Sequence, residues 1–120
     1  MTEKVYDLEE RTYLFAKKVR AFVKKLERTT TNVDDIRQVG RSSGSVAANY
    51  IEVNDNLGPK DLLLRLRTCK KEAKETILWL KLLEVQQANE EERQKLIVEA
   101  RELTNILGSI YQKRLKNTIK

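Results

Sequence analysis

Four polar residues, Asn49, Glu52, Glu72 and Glu75, are the side chains of this sequence with the clearest capacity for chemistry. Helical periodicity places Asn49 and Glu52 near the inward stripe of one helix, and Glu72 three residues after Cys69 on the next. They can therefore meet as a partly buried polar cluster between two helices. Two interpretations stay open. The cluster is structural, as a satisfied polar network or as ordinary surface pairs, or it contains a carboxylate pair that works in an enzyme.

Most catalytic and metal-binding arrangements need residue types that this chain does not have. The sequence contains no histidine and a single cysteine, Cys69. Di-iron carboxylate bundles use Glu-x-x-His pairs, and tetrahedral zinc sites use cysteine and histidine ligands, so neither site fits. Catalysis by serine or cysteine lacks its histidine base, and Gly40 and Gly44 match no phosphate-binding loop. We therefore predict a protein that is not an enzyme and that uses no cofactor or metal.

The composition is typical of a protein built from long helices. The chain has 120 residues, of which 35% are charged and 40% hydrophobic, with four glycines and one proline. One cysteine cannot form an internal disulfide, which favours a reducing compartment. The N-terminal residues contain no apolar run of the kind found in signal peptides, and the longest apolar runs are too short to cross a bilayer. We expect a soluble, cytoplasmic protein without a membrane partner.

Apolar residues recur at helical spacing in four parts of the chain. The predicted helices are approximately 8–28, 33–54, 59–87 and 90–115. Asn32 and Asn89 are the expected N-caps of the second and fourth helices, and Pro59 suits the first turn of the third. Because the helices have similar lengths and short connections, neighbours should be antiparallel. We predict an all-α fold, an antiparallel up-down-up-down four-helix bundle that forms one domain over residues 1–120.

The net charge of +6 is concentrated in the first and third predicted helices. Residues 8–28 carry seven lysines and arginines against three acids, and residues 58–87 carry seven against four. Such segments favour an anionic partner such as RNA or DNA if the two helices expose neighbouring edges; a solvated surface with a mild basic excess is the alternative. The candidate nucleic-acid-binding residues are Lys17, Lys18, Arg20, Lys24, Lys25, Arg65, Arg67, Lys70, Lys71 and Lys74.

Two further features concern contact with other helices. Residues 41–52 consist mostly of small side chains, although glycine costs about 1 kcal/mol within a helix, so close packing inside the monomer or against another molecule must compensate. Around Trp79 the apolar residues cover more than one face of the third helix, which indicates a subunit interface. The candidate interface residues are Ser43, Gly44, Ala47, Ala48, Ile77, Leu78, Trp79 and Leu82.

Two motifs resemble the signatures of a bacterial protein family. Residues 41–52 read RSSGSVAANYIE and are similar to R-S-x-x-S-[IV]-x-A-N-x-x-E; residues 71–80 read KEAKETILWL and are similar to K-E-A-x-E-T-x-x-W-L. The family is the four-helix bundle proteins named for the 23S rRNA intervening sequence, which are related to the accessory variability protein of diversity-generating retroelements. The resemblance covers most of residues 11–83.

The resemblance implies a cytoplasmic homo-oligomer, a ring of five. The retroelement relative further implies a basic surface that binds nucleic acid and a protein partner, while the signature residues carry no assigned chemistry. We therefore predict a non-enzymatic oligomeric bundle that binds the backbone of RNA or DNA. The alternative is an oligomeric adaptor or scaffold that binds protein and no nucleic acid, and a small-molecule enzyme is a distant third interpretation.

Overall fold

The computed structural model describes residues 7–55 and 58–119, and the regular structure in these residues is helical throughout. The helices are α1 (Leu8–Val23), α2 (Thr30–Val53), α3 (Pro59–Leu82) and α4 (Gln87–Ile119). α1 and α3 each pack against both α2 and α4, so α1 is diagonally opposite α3. The cross-helix hydrogen bonds Arg20–Gly40 and Asn54–Glu9 show that α1 and α2 are antiparallel. The predicted antiparallel four-helix bundle is confirmed.

One apolar core runs through the bundle, and every helix contributes to it. On α1 the buried residues follow steps of four and three, the spacing that keeps side chains on one face of a helix. The largest fully buried apolar side chains of the whole core are Phe15, Phe22, Leu66, Leu80, Leu103 and Leu107. Burying a leucine or phenylalanine contributes about 1.5–3 kcal/mol, so these side chains dominate the stability of the fold.

Cys69 lies in this core as a small apolar side chain. It has no exposed surface, and its thiol donates a weak hydrogen bond to the Val46 carbonyl oxygen at 3.6 Å. Burial raises the pKa of the Cys69 thiol to about 12, because the thiolate is poorly solvated there. The thiol is therefore protonated and unreactive at neutral pH.

The helix ends differ from the predicted ones at several points. α1 ends at Val23 rather than near residue 28, and the Leu26 N–H instead bonds to the Val23 carbonyl in a tighter turn. α2 begins three residues earlier than predicted, because the Thr29 hydroxyl accepts the Asn32 N–H at 3.2 Å and acts as the cap in place of Asn32.

At the other helix ends, α3 begins at Pro59 as expected but ends at Leu82, where the backbone of Leu83 turns extended. α4 spans Gln87–Ile119, so Asn89 lies inside its first turn and is not its cap.

The buried amide of Asn32 joins the two connections at one end of the bundle. Its Nδ2 donates to the carbonyl oxygens of Glu27, at 3.0 Å, and Glu84, at 2.9 Å. Its Oδ1 accepts the Glu84 N–H at 2.7 Å. The hydroxyls of Thr29 and Thr31 donate to the Glu84 carboxylate, which lowers the pKa of Glu84. This network fixes the α1–α2 connection against the α3–α4 connection.

The C-terminal end of α3 is held on α4 by Arg93. Its Nη1 donates to the carbonyl oxygens of Leu80, Lys81 and Leu83 at 3.3, 3.1 and 2.6 Å. The last carbonyls of a helix lack partners within the helix, and Arg93 supplies them. α3 and α4 are therefore fixed side by side. None of the helices in the described residues is long and apolar enough to cross a membrane.

Candidate nucleic-acid interface

The outward face of α3 carries a group of basic side chains around an open depression of about 500 Å³. Arg67, Lys70, Lys71 and Lys74 line it together with Glu75 and Leu78. Four of the ten residues predicted to bind nucleic acid are thus brought together here. In the described part of the chain, none of the four is within ion-pair distance of a carboxylate.

Lys70 connects this depression to a second one, of about 630 Å³, between α3 and α4. The methylene stem of Lys70 lies over Gly108, where a Cβ would stand 3.5 Å from Lys70 Cε. That distance is ordinary van der Waals contact, so the stem of Lys70 packs closely along α4 at this position. The second depression is lined by Lys70, Thr104, Asn105, Gly108, Ser109, Gln112 and Lys113.

Helical spacing extends this surface to two residues that were not predicted from the sequence. Lys81 follows Lys74 by seven residues and shares its side of α3; Arg101 precedes Asn105 by four and shares its side of α4. Both are exposed. We call this region the α3–α4 basic surface. Its seven cations are Arg67, Lys70, Lys71, Lys74, Lys81, Arg101 and Lys113. Lys81 follows from its spacing to Lys74 alone, whereas recognising Arg101 required knowing that α3 and α4 are neighbours.

The acidic residues of α4 are directed away from this surface or paired locally. Arg11 of α1 makes a two-pronged contact with Glu99, at 2.8 and 2.9 Å, and a further contact with Glu102 at 2.6 Å. These contacts raise the pKa of Arg11, so it stays charged. Lys25, two residues after the end of α1, pairs with Glu92. The two remaining acids of α4 pair with cations on α4 itself, so all five of its acids are neutralised.

The basic residues of α1 lie at the opposite corner of the bundle, and most of them have partners. The ammonium of Lys17 is 5.4 Å from the ring centroid of Tyr13, a cation–π contact. Arg20 donates to the carbonyl oxygen of Gly40 at 3.2 Å. Lys18 and Lys24 are exposed and make no ion pair among the described residues. Because α1 and α3 are diagonal, the two basic segments do not share one face.

Arg65 and Glu72 lie on the side of α3 that faces α2. Arg65 donates to Asn49 Oδ1 at 2.9 Å, and Asn49 Nδ2 donates to the Ser45 carbonyl oxygen at 2.9 Å. Glu72 is buried and its Oε1 is 3.4 Å from the Arg41 guanidinium. Arg41 Nη1 donates a long hydrogen bond to Glu72 Oε2 at 3.5 Å, whereas Oε1 accepts none.

Among the described residues, no hydrogen bond joins Asn49, Glu52, Glu72 and Glu75 to one another. Asn49 and Glu72 contact different neighbours between α2 and α3, and Glu75 lines the depression on the outward face of α3. The carboxylates of Glu72 and Glu75 therefore form no linked pair of the kind that proton transfer between them would need.

The predicted interface residues divide into three groups, which pack within the monomer, are partly buried or are exposed. Ser43 is fully buried, and the guanidinium of Arg20 covers Gly44, so these two small residues pack within the monomer. Leu78 and Leu82, in contrast, are 49% and 50% exposed on α3. The exposed group is Ala48, Leu78 and Leu82, and the partly buried group is Ala47, Ile77 and Trp79.

The indole of Trp79 has an unusual environment. Its Nε1 is buried and has no hydrogen-bond partner in the described structure, and the only other such side-chain atom there is Oε1 of Glu72, seven residues earlier on the same side of α3.

Comparisons of the chain with family models, with curated proteins and with solved structures found no match.

Proposed function

We propose that this protein is a non-enzymatic, oligomeric helical bundle that binds the backbone of RNA or DNA through the α3–α4 basic surface. The observation that carries the proposal is the sorting of charge. Seven cations on adjacent sides of α3 and α4 make no ion pair among the described residues, while all five acids of α4 are engaged elsewhere. An unpaired lysine or arginine can form an ion pair with a phosphate. This pairing releases the counterions condensed on the nucleic acid, which favours binding.

Contact with phosphates rather than with bases fits the side chains available. Tyr13 is the only aromatic residue among the exposed large hydrophobic residues of the described chain, and it lies on α1 beneath Lys17. Proteins that bind single strands without sequence preference stack bases on exposed aromatic rings. The α3–α4 basic surface offers no such ring, so its contacts are with the backbone and carry little sequence information.

The oligomer and the family relationship belong to the same proposal. The two motifs that resemble the intervening-sequence family contact each other across α2 and α3, through Ser42–Thr76 at 2.7 Å and Arg41–Glu72. Leu78, within the second motif, and Leu82, just after it, are exposed apolar side chains, which a second copy would cover. The family resemblance gives the ring five members. Each subunit then repeats the basic surface, so that weak contacts with one nucleic acid act together.

The single buried thiol fits a cytoplasmic setting.

Charge reversal at two sites of the α3–α4 basic surface tests the nucleic-acid part of the proposal. We expect Lys70→Glu/Lys74→Glu to abolish binding of a labelled RNA in fluorescence anisotropy at low salt. The matched control is Lys18→Glu/Lys24→Glu, at one site on α1 and one at its C-cap, which makes the same change in net charge and should retain most of the affinity. If the wild-type protein binds neither RNA nor DNA at low salt, the protein-binding adaptor is the better interpretation.

A further inference from the structure

The α4 side of the basic surface carries uncharged side chains that can both donate and accept hydrogen bonds. Asn105, Ser109 and Gln112 are exposed and line the depression beside Lys70. The neighbouring Thr104 hydroxyl is already bonded to the Ala100 carbonyl oxygen at 2.7 Å, whereas these three side chains make no hydrogen bond within the described chain. Their bonding capacity is therefore available to a ligand.

Cations and uncharged polar groups lie in two parallel rows on this surface. On α3, Arg67, Lys70, Lys74 and Lys81 extend over fourteen residues, or roughly 21 Å at 1.5 Å per residue. On α4, Asn105 and Gln112 are two helical turns apart on one side, with Ser109 next to them. A ligand that fits both rows presents a line of negative charges beside a line of hydroxyl groups.

Double-helical RNA has this chemistry. Its wide, shallow minor groove shows the 2′-hydroxyl groups between the phosphates of the two strands, and DNA lacks those hydroxyls. A single strand is a poorer fit, because its recognition relies on stacking of splayed bases on aromatic side chains. The α3–α4 basic surface has cations and amides but no exposed aromatic residue in its described part.

We infer that the α3–α4 basic surface binds double-helical RNA in preference to double-helical DNA, with the lysines and Arg67 at phosphates and Asn105, Ser109 and Gln112 at 2′-hydroxyls. This inference rests on the proposed function and narrows its partner to one class of nucleic acid. Lys70 is central to the arrangement, because it lies across Gly108 and lines both depressions.

Anisotropy titrations with three labelled probes test the inference. The probes are an RNA hairpin, the DNA hairpin of the same sequence and an unstructured RNA of equal length. We expect the RNA hairpin to bind on the order of tenfold more tightly than the DNA hairpin, since two or three hydrogen bonds of about 0.5 kcal/mol or more each give that ratio. Asn105→Ala/Gln112→Ala should remove the RNA preference and leave the affinity for DNA unchanged.

The control variant Lys70→Ala/Lys74→Ala should weaken binding of both hairpins by the same factor and keep their ratio. A second measurement needs no variant: replacing the RNA hairpin with one whose 2′-hydroxyls are methylated should lower the affinity of the wild-type protein to that for DNA. Equal affinity for the RNA and DNA hairpins, or tighter binding of the unstructured RNA, overturns this inference and leaves the proposed function standing. Failure of all three probes to bind overturns both.

Discussion

Asn32 is the residue on which the closed end of the bundle depends most. Its side chain is fully buried and makes three hydrogen bonds to the backbone of two different connections. Buried backbone groups that lose a partner destabilise a fold more than an ordinary hydrogen bond stabilises it. One amide therefore determines how α2 begins and how α3 and α4 are joined.

We predict that Asn32→Ala lowers the free energy of unfolding by about 2 kcal/mol or more, because it leaves the Glu84 N–H and two carbonyl oxygens without partners. Urea denaturation followed by circular dichroism measures this change. The control is Asn105→Ala, which removes the same side chain from an exposed position of α4 and should alter the free energy by no more than about 0.5 kcal/mol. Equal effects of the two substitutions would show that Asn32 does not hold the connections together.

The sequence placed Asn32 at a helix end but not in the core. Asparagine before a helical stripe is a common N-cap, and nothing local reveals that two distant backbone segments enclose the amide. The same limit applies to Ser42 and Ser43. Their small size indicated close packing, but only the fold shows that the packing is within the monomer, with Ser42 bonded to Thr76.

At the level of elements, α1 is attached to the bundle in a different way from the other helices. α1 packs less extensively against α4 than α3 packs against α4. Arg11 of α1 and Lys25, two residues after its end, form ion pairs with acids of α4. Ion pairs near the surface are screened by salt, while apolar burial is not. α1 should therefore be the helix whose attachment depends most on ionic strength.

We predict that Arg11→Ala lowers the free energy of unfolding by about 1 kcal/mol, because it removes a two-pronged contact with Glu99 together with a contact with Glu102. Lys95→Ala is the control, since the Lys95–Glu91 pair is long, at 3.7 Å, and highly exposed. Hydrogen exchange should show faster opening of α1 in Arg11→Ala than in the wild-type protein. Unchanged exchange in α1 would mean that apolar contacts alone attach this helix.

Four helices and their core stripes were predictable from the sequence, because steps of four and three repeat in every segment. The residues that begin and end the helices were less predictable. α3 ends at Leu82 although apolar residues continue, since Arg93 of the next helix takes up its last carbonyls. Which helices are neighbours also needs the three-dimensional structure. That relation separates the α1 cations from the α3 cations and adds Arg101 to the candidate surface.

On the scale of the whole molecule, opposite sides of the bundle have different surfaces. On the side next to α1, the acids of α4 are paired with cations. The side formed by α3 and α4 is basic, and α3 also exposes Leu78 and Leu82. Exposed leucines four residues apart on one helix favour contact with another apolar surface. A second copy that covers them would border the α3–α4 basic surface directly, because Leu78 also lines the depression of Arg67, Lys70, Lys71 and Lys74.

We predict that light scattering at micromolar concentration gives a mass several times the 14.0 kDa of one chain. Leu78→Lys/Leu82→Lys should reduce it to that of a monomer, because two charges cannot be buried between subunits without partners. Val98→Lys is the control, since Val98 is 50% exposed on α4, away from the predicted contact. A wild-type mass of 14.0 kDa would contradict the oligomer and remove the gain from repeated binding surfaces.

The salt dependence of RNA binding tests most directly whether the α3–α4 basic surface holds phosphates. The measurement is the slope of the logarithm of the binding constant against the logarithm of salt concentration, for the wild-type protein and for Lys70→Ala/Lys74→Ala. Each phosphate contact contributes somewhat less than one unit to the slope, so the double substitution should reduce its magnitude by about one to two units. Lys18→Ala/Lys24→Ala should leave it unchanged. Equal slopes for all three proteins would contradict phosphate binding at this surface.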